Sequence, residues 1–294
     1  MSQRVLFIFG CGYSALALAR RLLAKGGWEV IGTTRSEAGA EALRQAGVTP
    51  LIWPGEDPAP ALARATHLLA SIAPDASGDP VLNAAKELIA KAAPQLEWAG
   101  YLSTTGVYGD HGGGWVDETT PLTPSTRRGA WRLAAETAWQ DLAQASGLKL
   151  NMFRLAGIYG PGRGPFEKVR NGTARRILKP GQVFSRIHVT DIAEVLAASI
   201  AQPNPGRVYN LCDDDPAPPE AVIAEAARLL GLPLPPAEEF ASAEMTPMAR
   251  SFYAESKRVR NDRIKGELGV KLHYPDYRAG LKALLEEEQA SGAS

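Results

Sequence analysis

The chain of 294 residues balances 32 Lys and Arg against 32 Asp and Glu, with 45% hydrophobic residues. That composition supports a globular core and offers none of the basic excess expected of a nucleic-acid binder. Two distant cysteines, Cys11 and Cys212, exclude a disulfide framework or a zinc cluster read from spacing, and no apolar run is long enough to span a bilayer, so the expectation is a cytoplasmic protein with no membrane, nucleic-acid or metal partner.

Residues 5–9 (VLFIF) read as a strand buried on both faces. Gly10-Cys11-Gly12 ends it, residues 14–25 read as a helix, and Gly26-Gly27 stop that helix. A second strand at 28–33 and a helix at 37–46 follow. Further strands are expected at 49–53, 66–70, 98–103, 148–154 and 207–211, with helices at 79–93, 130–145 and 192–200. Strands and helices alternating at short spacing imply an α/β fold, a Rossmann-type doubly wound parallel sheet. From residue 213 the chain is rich in proline, with helical pieces at 220–230 and 276–287. The expected division is a dinucleotide-binding domain of residues 1–163 and 184–212, a smaller discontinuous substrate domain of 164–183 and 213–288, and a flexible tail at 289–294.

Gly10, Gly12 and Ala15 form a GxGxxA turn between a strand and a helix. Gly10 allows the tight turn, Gly12 lets backbone approach a pyrophosphate, and Ala15 lets helix and strand pack closely. Tyr13 and Ser14 then open a helix whose free N–H groups and dipole favour negative charge. The second strand ends in Thr34-Arg35-Ser36, with no carboxylate to hold a ribose 2′-hydroxyl. Arg35 can pair with a 2′-phosphate through its donor fork, and Thr34 and Ser36 can add hydroxyl donors. NADP(H) is therefore the expected cofactor, with NAD(H) as the alternative.

Several later segments carry a family resemblance: residues 102–109 (LSTTGVYG), 155–163 (LAGIYGPGR) with Arg154 just ahead, 186–193 (RIHVTDIA) and 208–211 (VYNL). Together with the glycine turn they resemble the extended and atypical short-chain dehydrogenase/reductases, the NAD-dependent epimerase/dehydratase type. The resemblance implies hydride transfer between a nicotinamide and a small substrate held between two domains, with Thr104 as the hydroxyl that orients the reacting oxygen. It also implies a Tyr and, four residues on, a Lys on one helix face. Counted from Glu136, those positions hold Arg128 and Arg132. Arg132 can take the lysine's place on the nicotinamide ribose. Arg128 cannot replace a tyrosine as proton donor, because a guanidinium stays protonated; it can polarise a carbonyl or bind a substrate anion.

Tyr108, His111 and Tyr159 are the titratable candidates for the missing proton donor, each with a structural or solvent-exposed reading beside the catalytic one. In sugar-nucleotide members an arginine four residues before the family histidine meets the diphosphate; here Phe184 holds that place and the arginine is Arg186. Lys168, Arg170, Arg175, Arg176 and Lys179 form a basic run that reads as a solvated face, or as a surface for an anionic substrate. His188 and Asp191 look like a structural pair, with Thr190 or Asp191 capping the helix behind them. The helices at 79–93 and 130–145 correspond to those through which many relatives form homodimers, and Trp131 and Trp139 are either exposed on the second or part of the core. The expected function is an NADP(H)-dependent oxidoreductase or epimerase-like enzyme acting on a small carbonyl, hydroxyl or sugar-related substrate. The alternative is an NADP(H)-binding sensor or scaffold without turnover.

Overall fold

The computed structural model describes residues 4–292, and strand alternates with helix from its first residue. β1 (Arg4–Phe9), α1 (Tyr13–Lys25), β2 (Trp28–Thr34), α2 (Glu37–Gln45) and β3 (Thr49–Ile52) make the first half of the sheet. β4 (His67–Ala70), α3 (Pro80–Ala92), β5 (Trp98–Thr104), α4 (Arg127–Ser146), β6 (Leu150–Leu155), α5 (Val189–Ala201) and β7 (Val208–Leu211) make the second. All seven strands are parallel, in the order β3-β2-β1-β4-β5-β6-β7. The order reverses between β1 and β4, which opens the crevice where doubly wound sheets take their ligands.

β1 shows why its sequence is continuously apolar. Leu6 and Ile8 pack with Ala15 and Leu18 of α1 and Ile192 and Leu196 of α5. Val5, Phe7 and Phe9 pack on the other face with Val81 and Ile89 of α3 and Trp139 of α4. Successive residues of a strand point to opposite faces, and with both faces covered neither set can be polar. Trp139 is part of this core and donates from Nε1 to Asp79 Oδ2 at 3.1 Å; Trp131 is half-buried.

The helix starts follow side-chain capping. Ser36 accepts from the Gly39 N–H, Asp79 from the Val81 and Leu82 N–H groups, and Thr126 from the Gly129 N–H. At α5 the cap is His188, whose Nδ1 accepts from the Thr190 N–H at 3.2 Å. This corrects the expectation of Thr190 or Asp191, because Asp191 turns its carboxylate to the backbone N–H groups of His273 and Tyr274. Residues beyond the sheet add α6 (Pro219–Leu230) and α7 (Tyr277–Gly292). These pack with Phe166 and Val169 in a separate apolar cluster that includes Tyr159, Ala226 and Leu281. The expected flexible tail is helical as far as Gly292, and residues 293–294 lie outside the described residues. Most of the basic run binds the protein's own groups: Arg170 pairs with Glu288, Arg175 with Glu238, and Arg176 and Lys179 donate to the carbonyls of Pro235 and Tyr253. Among the described residues no helix is long and apolar enough to cross a membrane.

One buried ion pair ties α4 to the sheet. Arg154 on β6 donates to both carboxylate oxygens of Glu136, from Nη2 at 2.7 Å and from Nε at 3.1 Å, and both side chains are about 95% or more buried. Ser103 at the end of β5 donates to the same carboxylate at 2.5 Å. Glu136→Ala strands a buried guanidinium, so its expected cost is about 3–5 kcal/mol. Urea unfolding checks this; a loss under about 1 kcal/mol would show that water or another group replaces the carboxylate.

Candidate functional site

The glycine turn follows β1 at the reversal of strand order. Gly10 has φ +78°, and a Cβ there would lie 2.6 Å from Ile72 Cγ1, so the turn needs glycine twice over. Thr33 on β2 pins it: the Gly10 N–H donates to Thr33 Oγ1 at 2.7 Å and the Cys11 N–H to the Thr33 carbonyl at 2.9 Å. Behind the turn, burial pushes the Cys11 thiol up to about 12. A Cβ on Gly12 would meet nothing within 4 Å, so the chain here faces open space. Ala15 is fully buried and Ser14 is buried. α1 has no side-chain cap and no acidic residue in its first turn, whereas α2, α3, α4 and α5 are each capped by a side chain. Uncapped N–H groups and the positive end of the helix dipole fit a pyrophosphate. Tyr13 ties the turn to the chain beyond β6, because its hydroxyl donates to the Pro161 carbonyl at 2.9 Å and Arg163 lies over its ring.

At the end of β2, Thr34 is half-buried and packed closely under α2, where a Cβ on Gly39 would come within 2.1 Å of Thr34 Oγ1. The Ser36 hydroxyl is used in capping. Arg35 is exposed and has no hydrogen bond or ion pair among the described residues. The nearest acid in sequence, Glu37, is paired with Arg44 at 2.7 Å.

A cleft of 1260 Å³ opens along the C-terminal ends of β5 and β6. Thr104, Arg128, Arg132 and Tyr159 all line it. Thr104 Oγ1 accepts from the Gly106 N–H at 3.2 Å, which leaves its own proton to donate. Arg132 is fixed by Nη1, which donates to the Leu102 carbonyl at 2.8 Å and the Tyr101 hydroxyl at 2.9 Å. Arg128 is exposed on the cleft wall without a partner among the described residues.

Two expected proton donors do not reach the cleft. Tyr108 is fully buried; it donates to Asn210 Oδ1 at 2.7 Å and accepts from Arg154 Nη1 at 3.0 Å, and burial pushes its phenol up to about 12. His111 places Nε2 3.1 Å from the Tyr108 carbonyl and is absent from the cleft wall. Both follow the strand end in sequence, but the short helical turn at Thr105–Tyr108 carries them beneath and behind the edge. Tyr159 is in the wall, yet its hydroxyl is directed at the Asp276 carbonyl at 3.4 Å and burial holds its phenol well above the usual range.

The cleft also contains groups that motif reading missed, among them Glu255, Lys257 and Phe252, beside Arg186, which the motif had marked. Glu255 and Lys257 form a 2.6 Å ion pair in the wall, each about 89% buried, and Lys257 also donates to the Gly109 carbonyl. Arg186 donates to the carbonyls of Phe184 and Ala217. Next to it in space, burial lifts the Asp213 carboxyl to about 8. Phe252 is largely exposed at the rim. No local pattern marks residues 251–259; only the tertiary fold brings them to the ends of β5 and β6.

A profile of the NAD dependent epimerase/dehydratase family matches residues 79–212. Over 281 residues the chain is 30% identical to protein YeeZ of Escherichia coli K12, covering 92% of this chain and 96% of that one. The chain belongs to the NAD dependent epimerase/dehydratase family. A solved structure of a functionally unknown conserved protein from Silicibacter pomeroyi DSS is 61% identical, with a TM-score of 0.92, covering 97% of this chain and 99% of that one. The fold is also that of UDP-glucuronic acid 4-epimerase from Bacillus cereus, solved with UDP-glucuronic acid and NAD (14% identity, TM-score 0.80, 98% of this chain and 99% of that one). Arg128 and Arg132, at the two positions where the resemblance implies a Tyr and a Lys, both line the cleft.

The two glycines of the turn separate in a mutational test. Gly10→Ala is expected to lose about 1–2 kcal/mol or more from its left-handed backbone alone. Gly12→Ala, at an extended position facing open space, is expected to lose about 1 kcal/mol or less. Thermal unfolding of both variants checks the order; equal losses would contradict the geometry described.

Proposed function

We propose that this chain binds NADP(H) at the glycine turn and acts as an oxidoreductase or epimerase-like enzyme on a small carbonyl, hydroxyl or sugar-related substrate in the adjoining cleft. The observation that carries this reading is the uncapped start of α1 behind an open Gly12. A bound nicotinamide supplies a hydride donor or acceptor. The protein's own residues do the positioning. Thr104 donates its hydroxyl proton to the substrate oxygen, and Arg132, braced on the Leu102 carbonyl, holds the nicotinamide ribose through its remaining N–H groups. Arg35, exposed and unpaired among the described residues, takes the 2′-phosphate. The NAD held by the Bacillus cereus epimerase supports a nicotinamide at this fold's switch point, and its UDP-glucuronic acid supports a substrate in the cleft. Homodimerisation through α3 and α4 belongs to the same reading.

A second reading has its own support. With Arg128 in the tyrosine position, Tyr108 buried and His111 outside the cleft, an NADP(H)-binding sensor without turnover is the alternative. Steady oxidation of NADPH with any member of a carbonyl panel decides for the enzyme; tight binding with no turnover across the panel decides for the sensor.

The cofactor choice is checked by fluorescence titration. Wild-type protein is expected to bind NADPH about 10–100-fold more tightly than NADH, and Arg35→Ala to remove most of that preference, as loss of a charge-assisted phosphate contact implies. Equal affinities in the wild type would make Arg35 a surface residue.

A further inference from the structure

The cleft wall is strongly cationic in a chain of zero formal net charge. Arg127, Arg128, Arg132, Arg163, Arg186 and Lys257 line it, against Glu255 as the only carboxylate among the lining residues. Most of these cations have protein partners. Lys257 pairs with Glu255, Arg132 and Arg186 hold backbone carbonyls, and Arg163 and Arg127 lie over Tyr13 and Trp131. Arg128 has none among the described residues.

Its placement also runs against helix electrostatics. Arg127 and Arg128 occupy the first turn of α4, which has no acidic residue, so two cations sit at the positive end of the helix dipole. Arg128 and Arg132 are four residues apart on one helix face, where like charges repel. A local arrangement that opposes folding without compensation among the described residues points to a ligand that compensates it. An anion at Arg128 would satisfy the guanidinium, the dipole and the repulsion together.

The helix is rooted beside the orienting hydroxyl. Gly129 presses on the turn after β5, where a Cβ would come 2.9 Å from the Gly106 carbonyl, and the Gly106 N–H donates to Thr104 Oγ1. We propose that Arg128 is an anion anchor next to the reacting centre, and that the substrate is a small oxo or hydroxy compound carrying a carboxylate or phosphate close to the carbon that exchanges hydride. This rests on the hydride-transfer reading above, and it separates the chain from ligands held by a distant diphosphate.

Calorimetric titration with malonate, inorganic phosphate and UDP, on wild type and Arg128→Gln, tests it. Arg128 is exposed and sits at the unfavourable end of the helix dipole, so the variant is expected to melt with the wild type or slightly above it. Malonate or phosphate is expected to bind the wild type and to bind R128Q about tenfold or more weakly, with NADPH affinity unchanged. The tighter of the two probes assigns the anion as carboxylate or phosphate. Failure of the wild type to bind either probe, binding that R128Q leaves intact, or UDP binding that exceeds both and ignores the substitution would each overturn the anchor. NADPH binding in those cases leaves the cofactor reading standing, whereas malonate binding that depends on Arg128 without any NADPH binding sinks the cofactor reading and keeps the anchor.

Discussion

The Glu136–Arg154 ion pair joins the helix that carries Arg128 and Arg132 to the strands whose ends form the cleft. Removing two charges from water is costly, and their attraction offsets that cost only when the remaining donors and acceptors are used. Here the bonding is extensive: Glu136 accepts from Arg154 and Ser103, Arg154 extends to Tyr108, and Tyr108 donates to Asn210 on β7. The Asn210 N–H in turn donates to Glu118 at 2.8 Å. The polar chain ties α4, which carries Arg128 and Arg132, to the ends of β5, β6 and β7.

This network also explains why Tyr108, a proton-donor candidate by sequence position, lies away from the cleft. Tyr108 lies four residues past Thr104, and an extended chain would have left it at the sheet edge. The single helical turn between them folds it inward, where its hydroxyl serves Arg154 and Asn210. By contrast, the sheet itself was legible. The continuous apolar run at residues 5–9, broken at once by glycine, reads as a strand covered on both faces, and it is one. The cap expected at Thr190 or Asp191 is instead a buried histidine, because Asp191 is bound to the backbone at His273.

The cleft was legible from one side only. Thr104, Arg128 and Arg132, singled out by the family resemblance, line it, although the helix expected from residue 130 starts at Arg127. Glu255, Lys257 and Phe252 come from a stretch without periodicity and reach the site through contacts more than a hundred residues distant, such as Lys257 with Gly109. Long-range pairing of that kind leaves no local pattern, so the substrate-facing wall becomes visible only once the chain is folded.

The account stands on negative charge being received at the start of α1. Gly10 closes the turn, Gly12 leaves it open, and the missing cap leaves N–H groups for a ligand that the other sheet-flanking helices have already satisfied from their own side chains. Amide hydrogen exchange with and without NADPH reads this directly. The account predicts slowed exchange in the peptide spanning Gly12 to Ala15 and in the one spanning Thr34 to Ser36, with β3 and α6 unchanged. Bound NADPH that leaves the Gly12–Ala15 amides exchanging as in the free protein would contradict it.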